Sequence, residues 1–177
     1  ALYCVDLTTG TPIAAIRENT RVVSASTIKV SILCCALQDV MDGKLSLGQP
    51  LAIAPGDFCS DTEVFEPGYR QDGASLWEML YWMIVSSDNT ATNTVISLLG
   101  YDHVNQYCRA IGLTQTSLQR KMLDFQAIAE GRNNYTSPAD LYRVFSLLYH
   151  GEILNKPLRE VAFDFLSRCR STDALQR

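Results

Sequence analysis

A serine and a lysine stand three residues apart at the start of the most apolar stretch of the chain. Lys29 is the only charged residue between Ser26 and Asp39. Residues at positions i and i+3 share one face of a helix, so the hydroxyl of Ser26 and the amine of Lys29 are predicted to be neighbours. Burial favours the neutral form of a lysine, and a neutral amine beside a hydroxyl can serve as the general base for a nucleophile.

This pair of residues is weak evidence when taken alone. A Ser-x-x-Lys pattern is expected about 0.3 times by chance in a chain of this length and composition. Two structural alternatives therefore stay open. Ser26 could cap the N-terminus of the helix, and Lys29 could extend its amine along the helix to the surface.

A second cluster of polar residues, Ser87-Asp88-Asn89, lies 61 residues after Ser26 and directly before a predicted helix. All three residue types are favourable helix N-caps, which is again the structural alternative. The tripeptide is expected only about 0.04 times by chance. The two motifs in this order, each at the start of a predicted helix, arise by accident in about one such chain in a hundred.

The composition is that of an ordinary globular protein. Hydrophobic residues make up 47% of the 177 residues and charged residues 19%, which is enough apolar material for a core. The net charge of -4, with both signs interspersed, indicates neither a nucleic-acid surface nor a polybasic membrane patch. No apolar run reaches the roughly 18 residues that a membrane span requires.

The cysteines and histidines give no sign of a metal site. The six cysteines contain no Cys-x-x-Cys pair, and His103 and His150 lack the spacing of metal ligands. We therefore predict neither a metal nor a cofactor. Cys34 and Cys35 lie inside the apolar helix and are most simply buried thiols, although an even cysteine count leaves disulfides open.

The hydrophobic pattern predicts a mainly helical chain that begins with a β-hairpin. The hairpin joins residues 2–7 to 12–16 through Thr8–Gly10, and the central helix runs from Ser26 to about Met41. A short strand is predicted at 51–54, residues 114–120 are predicted to be extended or irregular, and residues 121–136 are predicted to form a loop. Five further helices are predicted at 76–85, 90–99, 103–111, 138–149 and 156–169. The first of them begins with a capping box at Ser75 and Glu78, and the fourth begins with Ser-Pro at 137–138.

With both motifs in this order, the sequence resembles the superfamily of class A β-lactamases and penicillin-binding proteins. Its signature is Ser-x-x-Lys, Ser-Asp-Asn and Lys-Thr-Gly. The similarity extends to flanking segments at 6–10, 83–93, 112–120 and 136–138. The resemblance implies an α/β fold of the β-lactamase/transpeptidase type. An all-helical domain then lies beside an antiparallel sheet, of which this chain holds only the N-terminal hairpin.

The same resemblance implies a division of the chain into three parts. Residues 1–25 would form the hairpin of the α/β domain, residues 26–155 the mainly helical domain with both motifs, and residues 156–177 a helix that leads back to the α/β domain. A hairpin without partner strands leaves exposed edges, so we expect another segment or another chain to share strands with it.

Two departures from the family pattern affect the expected chemistry. No Lys-Thr-Gly follows Ser87, so we expect the C-terminal third, where the family carries this motif on a strand, to be absent. Class A β-lactamases also carry a glutamate just past the arginine that corresponds to Arg120, and it activates the deacylating water. This chain has Lys-Met-Leu-Asp-Phe at 121–125, and the nearest candidate carboxylates are Asp124 and Glu130.

The resemblance implies a role for each motif residue. Ser26 would be the nucleophile and Lys29 its base. Ser87 would pass a proton to the leaving nitrogen, and Asn89 would hold both Lys29 and the amide of the substrate. The backbone N–H of Ser26 would supply half of an oxyanion hole, while the other half lies beyond the missing motif, so we expect this chain alone to be a poor catalyst.

The expected activity is that of a β-lactamase-like serine hydrolase that forms an acyl-enzyme on Ser26 and deacylates slowly. Two alternatives stay open, namely a penicillin-binding-protein-like D-Ala-D-Ala peptidase and a non-catalytic β-lactam-binding or sensor domain. The substrate would be a small β-lactam or a cell-wall peptide. The resemblance also implies an extracytoplasmic location, although the sequence shows no signal segment.

Overall fold

The computed structural model describes residues 1–60, 62–68, 70 and 72–170. Within these ranges the chain forms seven α-helices and three separate pairs of antiparallel strands. The helices are α1 Ile28–Met41, α2 Leu76–Val85, α3 Asn89–Leu99, α4 Tyr101–Ala110, α5 Phe125–Ala129, α6 Pro138–His150 and α7 Lys156–Ser167. The strands are β1 Leu2–Val5, β2 Pro12–Ile16, β3 Val22–Val23, β4 Pro50–Leu51, β5 Ala74–Ser75 and β6 Tyr135–Thr136.

Helix α1 lies at the centre of the helical body, as its apolar sequence predicted. It packs against α2, α3, α4 and α7, and its polar residues Lys29, Ser31 and Asp39 are buried together with its apolar ones. A helix that is apolar on all sides can be accommodated only where other elements surround it. The start differs from the prediction because Ser26 lies in a 3-10 turn at Ala25–Thr27, and α1 begins at Ile28.

The starts of α2 and α6 follow local rules that the sequence already contained. At α2, the Ser75 hydroxyl accepts from the backbone N–H of Glu78 at 3.2 Å, and the Glu78 carboxylate accepts from the backbone N–H of Ser75 at 3.3 Å. At α6, the Ser137 hydroxyl accepts from the N–H of Asp140 at 3.1 Å. These caps satisfy N–H groups that a helix N-terminus leaves without partners.

The predicted hairpin is present as β1 and β2, which pair from Leu2 opposite Ile16 to Val5 opposite Pro12. Strand β1 packs on α6, where the rings of Tyr3 and Tyr142 meet edge to face at 5.2 Å. This contact gives the hairpin the packing surface that an isolated pair of strands requires.

The sequence did not predict two of the strand pairs. Strand β3 pairs with β6, and β4 pairs with β5, each over two residues. The predicted strand at 51–54 is shorter, and α5 forms inside a segment that was predicted to be irregular. Two-residue strands carry too little alternation to be recognised locally. The β3–β6 pair joins the segment before Ser26 to the end of the loop at 121–134.

The described ranges contain no helix that is both long and apolar enough to cross a membrane. Helix α7 packs against α1 and α2. The division at residues 25 and 155 stays a prediction, and positions 171–177 of the predicted last segment lie outside the described residues.

Gly73 is predicted to be required by the β4–β5 pair. It has a φ of +95°, and a Cβ at this position would overlap the carbonyl oxygen of Leu51. Gly68 has a φ of +85° with nothing within 4 Å, so it shares the backbone conformation without the overlap. We expect Gly73→Ala to lower the free energy of unfolding by about 2 kcal/mol more than Gly68→Ala, measured by urea denaturation. Equal losses would contradict the close contact with Leu51.

Candidate active site

The turn before α1 exposes the hydroxyl of Ser26 at the N-terminus of a buried helix. The turn is closed by Thr27, whose backbone N–H and hydroxyl both donate to the carbonyl oxygen of Ser24, at 3.1 and 2.6 Å. Ala25 has a φ of +45°, in the left-handed region that disfavours residues with a Cβ. Free N–H groups at a helix start favour negative charge, which suits an oxygen nucleophile.

Lys29 is only 2% exposed, and its amine lies among oxygens of the second motif. Its Nζ donates to the carbonyl oxygen of Ser87 at 2.6 Å, to the Ser87 hydroxyl at 2.9 Å and to the Asn89 Oδ1 at 3.0 Å. A buried amine is tolerated when hydrogen bonds replace those it made to water. The structure therefore brings the two motifs into direct contact, and Lys29 does not extend to the surface.

Ser87 connects the lysine to the predicted nucleophile. Its φ of +58° places a non-glycine residue in the left-handed region, at a cost of about 1–2 kcal/mol. In this conformation its carbonyl and its hydroxyl both accept from Lys29, while the hydroxyl donates to the Ser26 Oγ at 3.0 Å. An unbroken hydrogen-bond chain thus runs from Lys29 through Ser87 to Ser26.

Asp88, the middle residue of the second motif, holds the surrounding backbone in place. One carboxylate oxygen accepts from the N–H of Ala91 at 2.8 Å and caps α3. The other accepts from the Thr62 hydroxyl and from the N–H groups of Glu63 and Val64, at 3.2 and 3.0 Å. The buried carboxylate therefore fastens the loop at 62–65 to the start of α3.

A cleft of about 320 Å³ opens over the Ser26 and Lys29 side chains. Its apolar walls come from α1, α2 and the end of α7, and its lining residues include Val30, Met83, Ile84 and Leu166. A second, smaller cavity adjoins Ser26 on the side of the loop that Asp88 holds, where Thr62 and Glu63 line it. The exposed serine therefore faces space that a small molecule can enter from two sides.

The loop that follows Arg120 is closed at its neck by hydrogen bonds that Arg120 makes with Asn133 and Asn134. The Nε and Nη2 atoms of Arg120 donate to the Asn133 Oδ1 at 3.0 and 2.8 Å. Asn134 exchanges hydrogen bonds with the backbone N–H and carbonyl of Arg120 at 3.1 and 3.0 Å. The N–H of Ser24 donates to the Asn134 carbonyl at 2.9 Å, which ties the neck to the segment just before Ser26.

Inside the loop, Asn93 holds Met122 by its backbone. The Asn93 Oδ1 accepts from the N–H of Met122 at 2.7 Å, and its Nδ2 donates to the Met122 carbonyl at 3.3 Å. Asn93 lies one helical turn after Asn89 on α3, and this spacing is the signal by which sequence reasoning could have found it. Met122 is therefore bonded to the helix that also carries Asn89, and its side chain is apolar.

The two carboxylates predicted as candidates for deacylation, Asp124 and Glu130, hydrogen-bond to partners within the loop. Asp124 caps α5 by accepting from the N–H of Ala127 at 2.9 Å. Glu130 is exposed and accepts from Arg132 at 2.6 Å, and this bond, together with one from Gln126, lowers the pKa of the Glu130 carboxyl. The structure thus assembles Ser26, Lys29, Ser87 and Asn89, and places Asp124 and Glu130 in the loop with local partners.

Sequence comparison supplies the family. The profile of the Beta-lactamase enzyme family matches residues 1–177. The chain belongs to this family. The predicted resemblance to the superfamily of serine β-lactamases and penicillin-binding proteins is confirmed.

Two curated relatives of this β-lactamase family chain are 30% identical to it. A β-lactamase of Rhodobacter capsulatus aligns over 91% of this chain and 55% of its own length. β-Lactamase FAR-1 of Nocardia farcinica aligns over 93% of this chain and 53% of its own length. The chain therefore spans about half the length of the curated relatives it matches.

A solved relative supports the fold assignment. PBP-A, solved as an L158E mutant in an acyl-enzyme complex with penicillin G, is 29% identical and superposes with a TM-score of 0.85. The match covers 96% of this chain and 62% of that chain. The predicted α/β fold class of the β-lactamase/transpeptidase type is confirmed.

Removing the Asp88 carboxylate is predicted to destabilise the site strongly. Asp88→Ala leaves several buried donors without an acceptor and uncaps α3, so we expect the free energy of unfolding to fall by about 3 kcal/mol. Asp102→Ala is the matched control, because Asp102 is an exposed aspartate in the first turn of α4. Urea denaturation measures both variants. A loss for Asp88→Ala no larger than that for Asp102→Ala would contradict the role assigned to Asp88.

Proposed function

We propose that the protein containing this chain is a serine hydrolase that forms an acyl-enzyme on Ser26 with β-lactams. The observation that carries this proposal is the hydrogen-bond chain from the Lys29 Nζ through the Ser87 hydroxyl to the Ser26 Oγ. Nucleophile, relay and base are then within hydrogen-bond reach of one another, as nucleophilic catalysis requires. The β-lactamases among its relatives support the same reaction class.

The proton transfers of acylation can be assigned to these residues. Once Lys29 has lost one of its three N–H protons to solvent, its neutral amine takes the proton of Ser26, through Ser87 or a water molecule, and the Ser26 oxygen attacks the carbonyl carbon of the β-lactam. The C–N bond of the ring breaks as the tetrahedral intermediate collapses. The leaving nitrogen takes the hydroxyl proton of Ser87, and Lys29 returns a proton to Ser87. Asn89 holds the amine in place during this exchange.

Deacylation is proposed to be slow. Hydrolysis of the ester on Ser26 needs a base that activates water. The loop residue that Asn93 fastens to α3 is Met122, which cannot accept a proton. Asp124 and Glu130 remain candidates for this role, but their observed bonds to α5 and to Arg132 do not favour it.

A penicillin-binding-protein-like peptidase is the second candidate function. The apolar side chain of Met122 favours this function too. A peptidase that does not hydrolyse β-lactams has no need of a base that activates water for hydrolysis of the β-lactam acyl-enzyme. The relative PBP-A, captured as an acyl-enzyme with penicillin G, is consistent with this alternative. Comparing the turnover of a β-lactam with that of a D-Ala-D-Ala peptide separates the two functions. An extracytoplasmic location belongs to either proposal.

Replacing Ser26 is predicted to abolish acylation. Intact-mass spectrometry after incubation with a penicillin should show a covalent adduct on the unchanged protein and none on Ser26→Ala. Ser86→Ala is the matched control, because Ser86 lines the same region and its hydroxyl donates to the Trp82 carbonyl instead. An adduct that persists in Ser26→Ala would contradict the assigned nucleophile. No adduct on the unchanged protein would favour the non-catalytic binding domain.

Introducing a carboxylate at position 122 is predicted to shorten the lifetime of the adduct. In Met122→Glu the backbone contacts to Asn93 are retained, and a general base is added, so we expect deacylation to accelerate on the order of 100-fold. Met122→Gln has the same size without the base and should leave the rate unchanged. Time-resolved mass spectrometry of the penicillin adduct measures both. Equal acceleration in Met122→Gln would show that loop disruption, and not base catalysis, causes the effect.

A further inference from the structure

Three side chains of metal-ligand type meet near the C-terminal end of α1. Cys35 and Asp39 lie one turn apart on α1, and His103 faces them from α4. The Cys35 Sγ, a carboxylate oxygen of Asp39 and a ring nitrogen of His103 all lie within 4.8 Å of one another. Sequence spacing gave no hint of this group, because His103 is 64 residues from Asp39 along the chain.

We propose that Cys35, Asp39 and His103 bind one divalent cation of the zinc class, with water as a fourth ligand. Sulfur, nitrogen and oxygen donors together are the set that Zn²⁺ accepts in tetrahedral sites with three protein ligands. Mg²⁺ and Ca²⁺ take oxygen ligands almost exclusively, so a thiol and an imidazole disfavour them. Cys35 and Asp39 are buried and come from one rigid helix, which fixes two of the three donors before the ion binds.

The existing contacts can rearrange to admit a cation. His103 Nε2 lies 2.7 Å from the Asp39 Oδ2, so an ion placed between imidazole and carboxylate replaces one hydrogen bond. Lys44 contacts the Asp39 Oδ1 at 3.1 Å and also the Asp42 Oδ2 at 2.9 Å. The ammonium of Lys44 therefore keeps a carboxylate partner in Asp42 when the ion binds Asp39.

The charge and proton balance of binding is simple. The S–H bond of Cys35 breaks, its proton passes to solvent, and a bond from sulfur to the metal forms without any change of oxidation state. One thiolate and one carboxylate then neutralise the two positive charges of the ion.

The proposed metal site is separate from the serine site. The His103 side chain is 40% exposed, so one of the three proposed ligands is in contact with solvent. Asp39 lies ten residues after Lys29 along α1, and at 1.5 Å per residue this places the two sites about 15 Å apart. Binding of the ion can therefore be measured independently of any acyl transfer.

Metal titration of the reduced protein tests the proposal. Co²⁺ added in place of Zn²⁺ should produce a thiolate-to-cobalt charge-transfer band with one ion per chain. Zn²⁺ at about 100 times its Kd should raise the Tm by roughly 5–10 °C, because the ion binds the folded state. EDTA should reverse both effects.

Two pairs of variants locate the ligands. Cys35→Ala and Cys34→Ala each remove one buried thiol from adjacent positions of α1, and His103→Gln and His150→Gln each remove one of the two histidines. We expect the band and the Tm rise to be lost in Cys35→Ala and His103→Gln and retained in the other two. No band on the unchanged protein, or a band that survives in Cys35→Ala, would overturn the proposal. Survival in Cys35→Ala would assign the metal to the exposed thiols of Cys4 or Cys169.

Discussion

The buried amine of Lys29 is the group around which the site is built. Removing an amine from water is unfavourable unless oxygens replace the lost hydration. Here those oxygens come from Ser87 and Asn89, which lie 58 and 60 residues away at the junction of α2 and α3. Helices α1, α2 and α3 must therefore pack in one relative position for Lys29 to be tolerated. Ser87 adopts a strained, positive φ, and in this conformation its carbonyl and its hydroxyl both accept from the amine.

The sequence predicted the parts of the site that depend on local order. Ser26 and Lys29 were predicted to be neighbours from helical spacing, and Ser75 and Ser137 were predicted to be helix caps from their residue types. The sequence could not show which oxygens surround Lys29 without the resemblance to a known family. Hydrogen bonds between a side chain and a distant backbone leave no periodic pattern.

The same limit explains what the sequence missed elsewhere. The β3–β6 pair covers only two residues on each side, and its role is to join the segment before Ser26 to the neck of a loop that starts at Arg120. Asn134 makes that connection, because its carbonyl accepts from the N–H of Ser24 and its side-chain amide bonds to the backbone of Arg120. The proximity of His103 to Asp39 likewise depends on the packing of α4 against α1. In each case the partner is set by tertiary packing, which one sequence does not display.

Two residues of the loop after Arg120 are held by side-chain amides that bond to its backbone. The side-chain amide of Asn93 hydrogen-bonds to the N–H and carbonyl of Met122, and the side-chain amide of Asn134 hydrogen-bonds to those of Arg120. None of these bonds uses the side chain at position 122. We infer that the scaffold accepts either a proton-accepting or an apolar residue there without losing its shape. Under the proposed function, the fate of an acyl-enzyme on Ser26 would then depend on one side chain of the loop, while the proposed nucleophile and base stay the same.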